Sequence, residues 1–176
     1  MDPQVIVVRD LVNAETVAAL CDDISEEKRV AVSTIRAKDC AEALLRVLAL
    51  GEEAKPFAEH VTGVLNQRLI RKLCDKCKQA YQPTPQVLQQ LRIPAGRVQA
   101  FYRLPQPTEE NPNPEPCEEC GGIGYKGRTA LLEFWAIGEN VRKVLATSPK
   151  LDLLRRAARK DGMRTLQEEG ILLVAK

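Results

Sequence analysis

Four cysteines carry the clearest chemistry in this chain. Cys74-Asp75-Lys76-Cys77 and Cys117-Glu118-Glu119-Cys120 are each a C-x-x-C knuckle. Two residues between thiolates let the backbone curl so that both sulfurs face one point. Four thiolates about 2.3 Å from a Zn²⁺ make a closed tetrahedron with no open coordination position, which is a structural rather than a catalytic arrangement. Gly121, Gly122 and Gly124 follow the second knuckle at once. Glycines there accept positive φ and let backbone amides turn toward sulfur. The loop between the knuckles is about forty residues, longer than common zinc-ribbon spacing. Closing a longer loop costs only about 0.6 kcal/mol per doubling, whereas zinc binding at such sites contributes on the order of 10 kcal/mol. Two disulfides and four unrelated buried thiols are the alternatives. Cys21 and Cys40 lie on apolar helical faces and read as small core residues. His60 reads as a surface or boundary residue, not a ligand.

The elements that must position these thiols change character twice along the chain. Residues 1–73 are apolar-periodic. Residues 74 to about 125 are loop-like and hold eight of the eleven prolines. From about 127 onward the pattern is helical again. Val5-Ile6-Val7-Val8 and Val30-Ala31-Val32 are β-branched runs without alternation, the pattern of strands buried on both faces in a parallel sheet. Between them Val17, Leu20, Cys21 and Ile24 recur at helical spacing over 14–25, which makes a βαβ unit. A helix over about 38–50 places Cys40, Leu44, Val47 and Leu48 on one face, with Gly51 as its stop. A helix over about 54–73 would align Phe57, Val61, Val64, Leu65 and Leu69. Short strands are expected at 98–104 and 130–136, and helices at 140–146, 150–160 and 165–174. The stretch 109–115, with Asn-Pro-Asn-Pro, reads as a mobile excursion.

Composition bounds the function. The 176 residues hold 26 basic and 24 acidic side chains, a net charge of +2, which excludes a strongly basic nucleic-acid coat and an acidic tail. A single His disfavours His-based metal sites and triads. No apolar run approaches the roughly 18 residues of a membrane helix, and the N-terminus has no secretory pattern. The thiols are therefore expected in a reducing compartment, free or metal-bound.

Several segments, in order, look like one known family. Val61-Thr62-Gly63-Val64-Leu65-Asn66-Gln67-Arg68-Leu69-Ile70-Arg71-Lys72-Leu73-Cys74 resembles the lead into the zinc site of type II secretion and type IV pilus assembly ATPases. So does Cys117-Glu118-Glu119-Cys120-Gly121-Gly122-Ile123-Gly124-Tyr125-Lys126-Gly127-Arg128-Thr129, and Asp161-Gly162-Met163-Arg164-Thr165-Leu166 resembles a helix start near that family's C-terminus. Asp2-Pro3-Gln4-Val5-Ile6-Val7-Val8 is similar to its Walker B strand. That strand ends in Gly-Glu in the family and in Arg9-Asp10 here. Ser33-Thr34-Ile35-Arg36-Ala37-Lys38-Asp39 aligns with the histidine box, but Arg29 and Arg36 stand where histidines are expected. An arginine has no neutral form near pH 7 and cannot shuttle a proton as His can. No G-x-x-x-x-G-K-[ST] loop is present to cradle phosphates.

The resemblance implies an α/β fold, built as part of a RecA-like parallel sheet with a tetracysteine zinc-binding subdomain and C-terminal helices. It implies three parts: an ATPase-core portion over 1–73, a zinc subdomain with its Pro-rich loop over 74–136, and a helical subdomain over 137–176. The implied metal ligands are Cys74, Cys77, Cys117 and Cys120, holding a structural Zn²⁺. No catalytic or nucleotide-binding residue is assigned, and ATP with Mg²⁺ enters only if a partner supplies the P-loop. The implied setting is a hexameric motor on the cytoplasmic face of the bacterial inner membrane, acting on a platform protein. The chain is expected to match the C-terminal half of such a motor and to be inactive alone. A half sheet would leave one edge and one apolar face uncovered, so the isolated chain is expected to self-associate or to need an N-terminal half. A nucleic-acid-binding zinc ribbon is the alternative, through Arg68, Arg71, Lys72, Lys76 and Lys78. The five glutamates around the second knuckle and an aromatic content of 4% count against it, so no nucleic-acid partner is expected. A chaperone-type zinc module, from C-x-x-C-x-G-x-G at Cys117–Gly124, is a weaker third reading.

Overall fold

The computed structural model describes residues 3–51, 53–94, 96–107 and 115–174. The chain divides into two compact units, one of residues 1–66 with 132–165, the other of residues 67–131 with 166–176. The expected excursion at 109–115 lies, apart from Glu115, outside the described residues.

The first unit opens with the βαβ motif. β1 (Val5–Val8) runs parallel to β2 (Val30–Ser33), with Val5 opposite Val30 and Val8 opposite Ser33. Helix α1 (Ala14–Glu27) joins them. Asn13 caps its start, its Oδ1 accepting from Thr16 N at 2.9 Å, and Lys28 ends it in the left-handed region at φ 53°. The strands are not buried on both faces. Val5, Val7, Val30 and Val32 are 51–75% exposed, so one whole face of the pair is bare. The parallel pair also stops at two strands. All the sheet among the described residues is two-stranded, β1 with β2, β3 with β6 and β4 with β5. The mixed α/β class is as expected, whereas an extended RecA-like parallel sheet is not seen.

Helix α2 (Cys40–Ala49) begins at Asp39, whose Oδ1 accepts from Glu42 N at 2.8 Å. It buries Cys40, Leu44 and Val47, as its periodicity required. The helix expected over 54–73 is corrected. Helix α3 ends after about two turns (Ala54–His60), and β3 (Gly63–Leu73) follows. Val61, Thr62 and Gly63 are poor helix formers. The Arg142 guanidinium also takes the carbonyls that a longer helix would need, those of Ala58, Glu59 (2.8 Å) and Val61 (3.2 Å). Gly63 leaves room for the Phe134 ring, which a Cβ would meet at 3.3 Å. Leu65 and Leu69 consequently face solvent instead of joining a helical stripe. β6 (Tyr125–Ala136) pairs with β3 and is longer than the expected 130–136.

Helices α5 (Glu139–Thr147) and α6 (Leu151–Lys160) close the core of this unit. Cys40, Leu44, Ala58, Trp135, Val141, Leu145 and Leu154 pack there in one cluster. Cys21 packs with Val17 and Val47 in a second. Burial pushes the Cys40 thiol up to about 12, with Glu133 adding to it, so this thiol is inert. Glu133 is the one buried charged side chain among the described residues. Its carboxylate accepts from Cys40 N (3.4 Å) and from Asn66 Nδ2 (3.2 Å), where the α2 dipole favours a negative charge. Beside it Asp39 pairs with Arg155. Burial pushes the Asp39 carboxyl up, but the Glu42 N–H and the Arg155 guanidinium outweigh that and hold it below its ordinary value.

The second unit holds β4 (Gln79–Tyr81) antiparallel to β5 (Phe101–Arg103), with helices α4 (Pro85–Gln90) and α7 (Leu166–Val174). The expected strand at 98–104 is β5, shortened to three residues.

Two outcomes test this packing. Helix α5 has glycine at its N-cap, and Asp161 substitutes for the missing cap by accepting from Val141 N at 3.1 Å and from Asn140 Nδ2 at 2.6 Å. A Cβ on Gly138 would lie 2.7 Å from Asp161 Oδ2. Gly138→Ala therefore costs about 1 kcal/mol in thermal unfolding, the worth of a cap. The same change costs less in an Asp161→Ala background, where the obstructing carboxylate is gone. A carboxyl held low stabilises the fold above its unfolded pKa and loses that contribution as pH falls through its folded value. Arg155→Gln thus destabilises the chain at pH 7, and the difference shrinks as the pH is taken below the carboxylate range.

Candidate metal centre

Cys74 follows β3 directly and Cys117–Cys120 lie just before β6, so pairing of the two strands delivers both knuckles to one place. Cys74 N donates to Gly124 O at 2.9 Å. Each knuckle is closed by its own backbone. Lys78 N donates to Cys74 O at 2.9 Å, and Gly122 N to Cys117 O at 3.2 Å. The sulfurs of Cys74, Cys77, Cys117 and Cys120 all lie within 4.8 Å of one another, and Cys77 Sγ is 3.7 Å from Cys120 Sγ. A tetrahedron of sulfurs about 2.3 Å from its centre has edges of about 3.8 Å, so the cluster already has the dimensions of a four-thiolate metal site. Cys74 is fully buried and the other three partly so.

The glycines work as their positions suggest. Gly121, Gly122 and Gly124 have φ of 62°, 79° and 78°, and Gly124 N donates to Cys120 Sγ at 3.2 Å. Gly124 has a second role that sequence did not disclose: a Cβ there would overlap the Leu104 side chain, which closes over the knuckle. Burial and the neighbouring thiols push Cys77 up to about 12. Burial also works against ionising Cys120, but the Gly124 N–H and the surrounding thiols outweigh it and bring this group down to about 7. Sulfurs this close share their protons unless a cation neutralises them together. The acids of the knuckles are each met by a lysine, in the pairs Asp75–Lys78, Glu118–Lys76 (3.8 Å) and Glu119–Lys126.

Asp10, Arg29 and Arg36 lie in the first unit, whereas Arg68, Arg71, Lys72, Lys76 and Lys78 lie in the second. Asp10 has φ 51°, its N–H donates to Thr34 Oγ1 (3.1 Å), and the same hydroxyl donates to Asp10 Oδ1 (2.8 Å). Asp10 and Arg36 both line a recess of about 390 Å³ with Leu11, Val12, Ile35, Arg46, Ala49 and Leu50. Arg29 does not line it and instead pairs with Asp23 at 3.3 Å on α1. No helix among the described residues is long and apolar enough to cross a membrane.

The described residues thus define a mixed α/β protein with four cysteines positioned to hold a metal ion, set in sequence between a βαβ unit and C-terminal helices. Comparison with known proteins narrows it. The family model described as type II/IV secretion system protein matches residues 1–176, and the chain belongs to that family. It is 31% identical over 170 residues to the type IV pilus assembly ATPase PilB of Thermus thermophilus, covering 97% of this chain and 18% of that protein. It is 30% identical over 173 residues to the protein transport protein HofB homolog of Escherichia coli (98% and 34%) and 26% identical over 174 residues to the type II secretion system protein E of Xanthomonas campestris (97% and 28%). The chain thus spans between 18% and 34% of the length of these relatives.

The geometry predicts that Gly124→Ala lowers metal affinity at least tenfold, since the added methyl displaces Leu104 and the amide that supports Cys120. Competition against a chromophoric chelator measures it. An Ala at Gly121, where nothing lies within 4 Å of the added atom, has the smaller effect.

Proposed function

We propose that this chain is the zinc-stapled portion of a motor ATPase for type II secretion or type IV pilus assembly, and that on its own it does not turn over ATP. The observation that carries the reading is the convergence of four thiols within 4.8 Å, in a chain that the secretion family model matches from end to end. Zn²⁺ suits the site because it accepts four soft thiolates in a tetrahedron and has no redox chemistry. Cys74, Cys77, Cys117 and Cys120 hold it, and it supplies a cross-link between the two knuckles instead of a reactive water.

Three features support inactivity in isolation. No phosphate-cradling G-x-x-x-x-G-K-[ST] sequence occurs in the 176 residues. The Asp10 carboxylate, which stands where the Walker B-like strand ends in Gly-Glu in the family, is engaged by Thr34. Arg36, which cannot exchange a proton at neutral pH, takes the place of a histidine. The bare valine face of β1 and β2 supports completion by another polypeptide, because parallel strands are stable when both faces are covered. In the complete machine we assign residues 1–73 to the ATPase core, 74–136 to the zinc subdomain and 137–176 to a helical subdomain. The assembly is a cytoplasmic, inner-membrane-associated oligomer, hexameric by family resemblance, that works on a platform protein.

Metal analysis by mass spectrometry is expected to find one zinc per chain, lost when Cys77 and Cys120 are both changed to Ser. Titration with ATP and Mg²⁺ is expected to show no binding at micromolar concentration. A metal-free chain that is nonetheless fully folded would overturn the staple. Magnesium-dependent turnover abolished by Asp10→Ala would overturn the assignment of inactivity.

A further inference from the structure

The chain between the knuckles does more than close a loop. β4 begins directly after Lys78, and β5 returns beside it, with Gln79 opposite Arg103 and Tyr81 opposite Phe101. Phe101 is 3% exposed and meets the Tyr81 ring edge-on, with centroids 6.0 Å apart. Lys78 Nζ lies 4.5 Å from the centre of the Tyr102 ring, and Gln106 N donates to Gln79 Oε1 at 3.2 Å. The end of β5 is thus fastened to the first knuckle.

The residues that follow β5 rest on the second knuckle. A Cβ on Gly124 would overlap Leu104 Cδ2 and stand 3.9 Å from Pro105 Cδ, so the leucine fills the space that a side chain at 124 would need. Pro116 takes the corresponding place over Gly122, at 3.2 Å from where its Cβ would stand. A φ of 78° already calls for glycine at 124, but it does not call for a leucine set over it. Gly124 serves both knuckles, since its N–H donates to Cys120 Sγ at 3.2 Å and its carbonyl accepts from Cys74 N at 2.9 Å. A hydrogen bond to sulfur is strong where water is kept away and weak where water competes for the donor.

We propose that Leu104 is a positioning residue of the metal centre: it seals the Gly124 amide against Cys120 and thereby sets how fast the knuckles exchange a bound ion. A thiolate releases a cation when it gains a proton. Cys77, Cys117 and Cys120 are partly exposed, and Leu104 limits the access of water on the Gly124 side of Cys120. A cover of this kind slows uptake and release alike and leaves affinity nearly unchanged. The proposal rests on reading the four thiols as a zinc site and goes beyond it, because four-thiolate coordination does not itself require a cover over the amide.

The test is the rate at which the zinc-loaded chain yields its metal to an excess of chromophoric chelator. Leu104→Ala is expected to raise that rate about tenfold while changing the equilibrium affinity by less than about threefold. Unlike Gly124→Ala, it leaves the amide in place. Leu104→Val, a milder truncation, is expected to give an intermediate rate, and Leu104→Met, which restores the volume, a rate close to that of the parent chain. Ile93→Ala, which empties a buried position elsewhere in the same segment, is expected to leave the rate unchanged. Equal acceleration by Ile93→Ala overturns the proposal, because the rate then follows only the stability of the segment. So does a Leu104→Ala chain that holds zinc and yields it at the parent rate, or one whose affinity falls as far as its rate rises. A parent chain that takes up no metal overturns the zinc reading and this proposal with it.

Discussion

The pairing of β3 with β6 draws four sulfurs within 4.8 Å of one another, close enough for one cation to be shared among them. The hydrogen bond from Cys74 N to Gly124 O joins residues fifty positions apart at the point where both knuckles emerge. On the zinc reading proposed above, metal binding and strand pairing would support each other. The strands bring the thiols together, and a cation shared by the thiols would keep this end of the strands from separating. The Pro-rich chain between the knuckles can then be irregular without loss, because closing it is a small logarithmic cost beside the metal bond.

The same pair of strands supplies the first unit with Glu133 and Trp135. A buried carboxylate with two N–H donors at a helix start is a local answer to a general problem, that of satisfying the first amides of α2 where Asp39 alone cannot reach them all. Asp161 repeats the device at α5. Arg142 is its counterpart at a helix end, where one guanidinium collects several carbonyls of α3. Helix ends in this unit are thus tied off by side chains distant in sequence, and the small helices depend on one another more than on their own propensities.

That dependence explains what could be read from sequence. The βαβ unit, α2, and the helices near the C-terminus follow from local periodicity, and their observed limits lie within a few residues of those expected. The convergence of the four cysteines was legible because C-x-x-C spacing fixes sulfur geometry locally, and the glycines that follow fix the amide. β3 was not legible. Phe57, Val61, Val64 and Leu65 fall at helical spacing by coincidence, and the weak helix formers Val61, Thr62 and Gly63 together with Arg142, some eighty residues away, stop α3 where it does. Helix α4 was also missed, although Thr84-Pro85 is a start signal, with Thr84 Oγ1 accepting from Val87 N. The bare valines were half legible. Their run pointed to burial on both faces, and the structure covers one.

Trp135 is the only tryptophan of the chain and is 2% exposed, within the core of the first unit, its indole N–H without a hydrogen-bond partner. All three tyrosines, Tyr81, Tyr102 and Tyr125, belong to the second. The chain has in effect sorted its chromophores by unit. Emission excited at the red edge of the ultraviolet band sees only the first, while tyrosine absorbance follows the second. A local opening of the cysteine knuckles can therefore pass unseen by indole fluorescence, and a melting curve recorded by that signal alone describes half of the molecule.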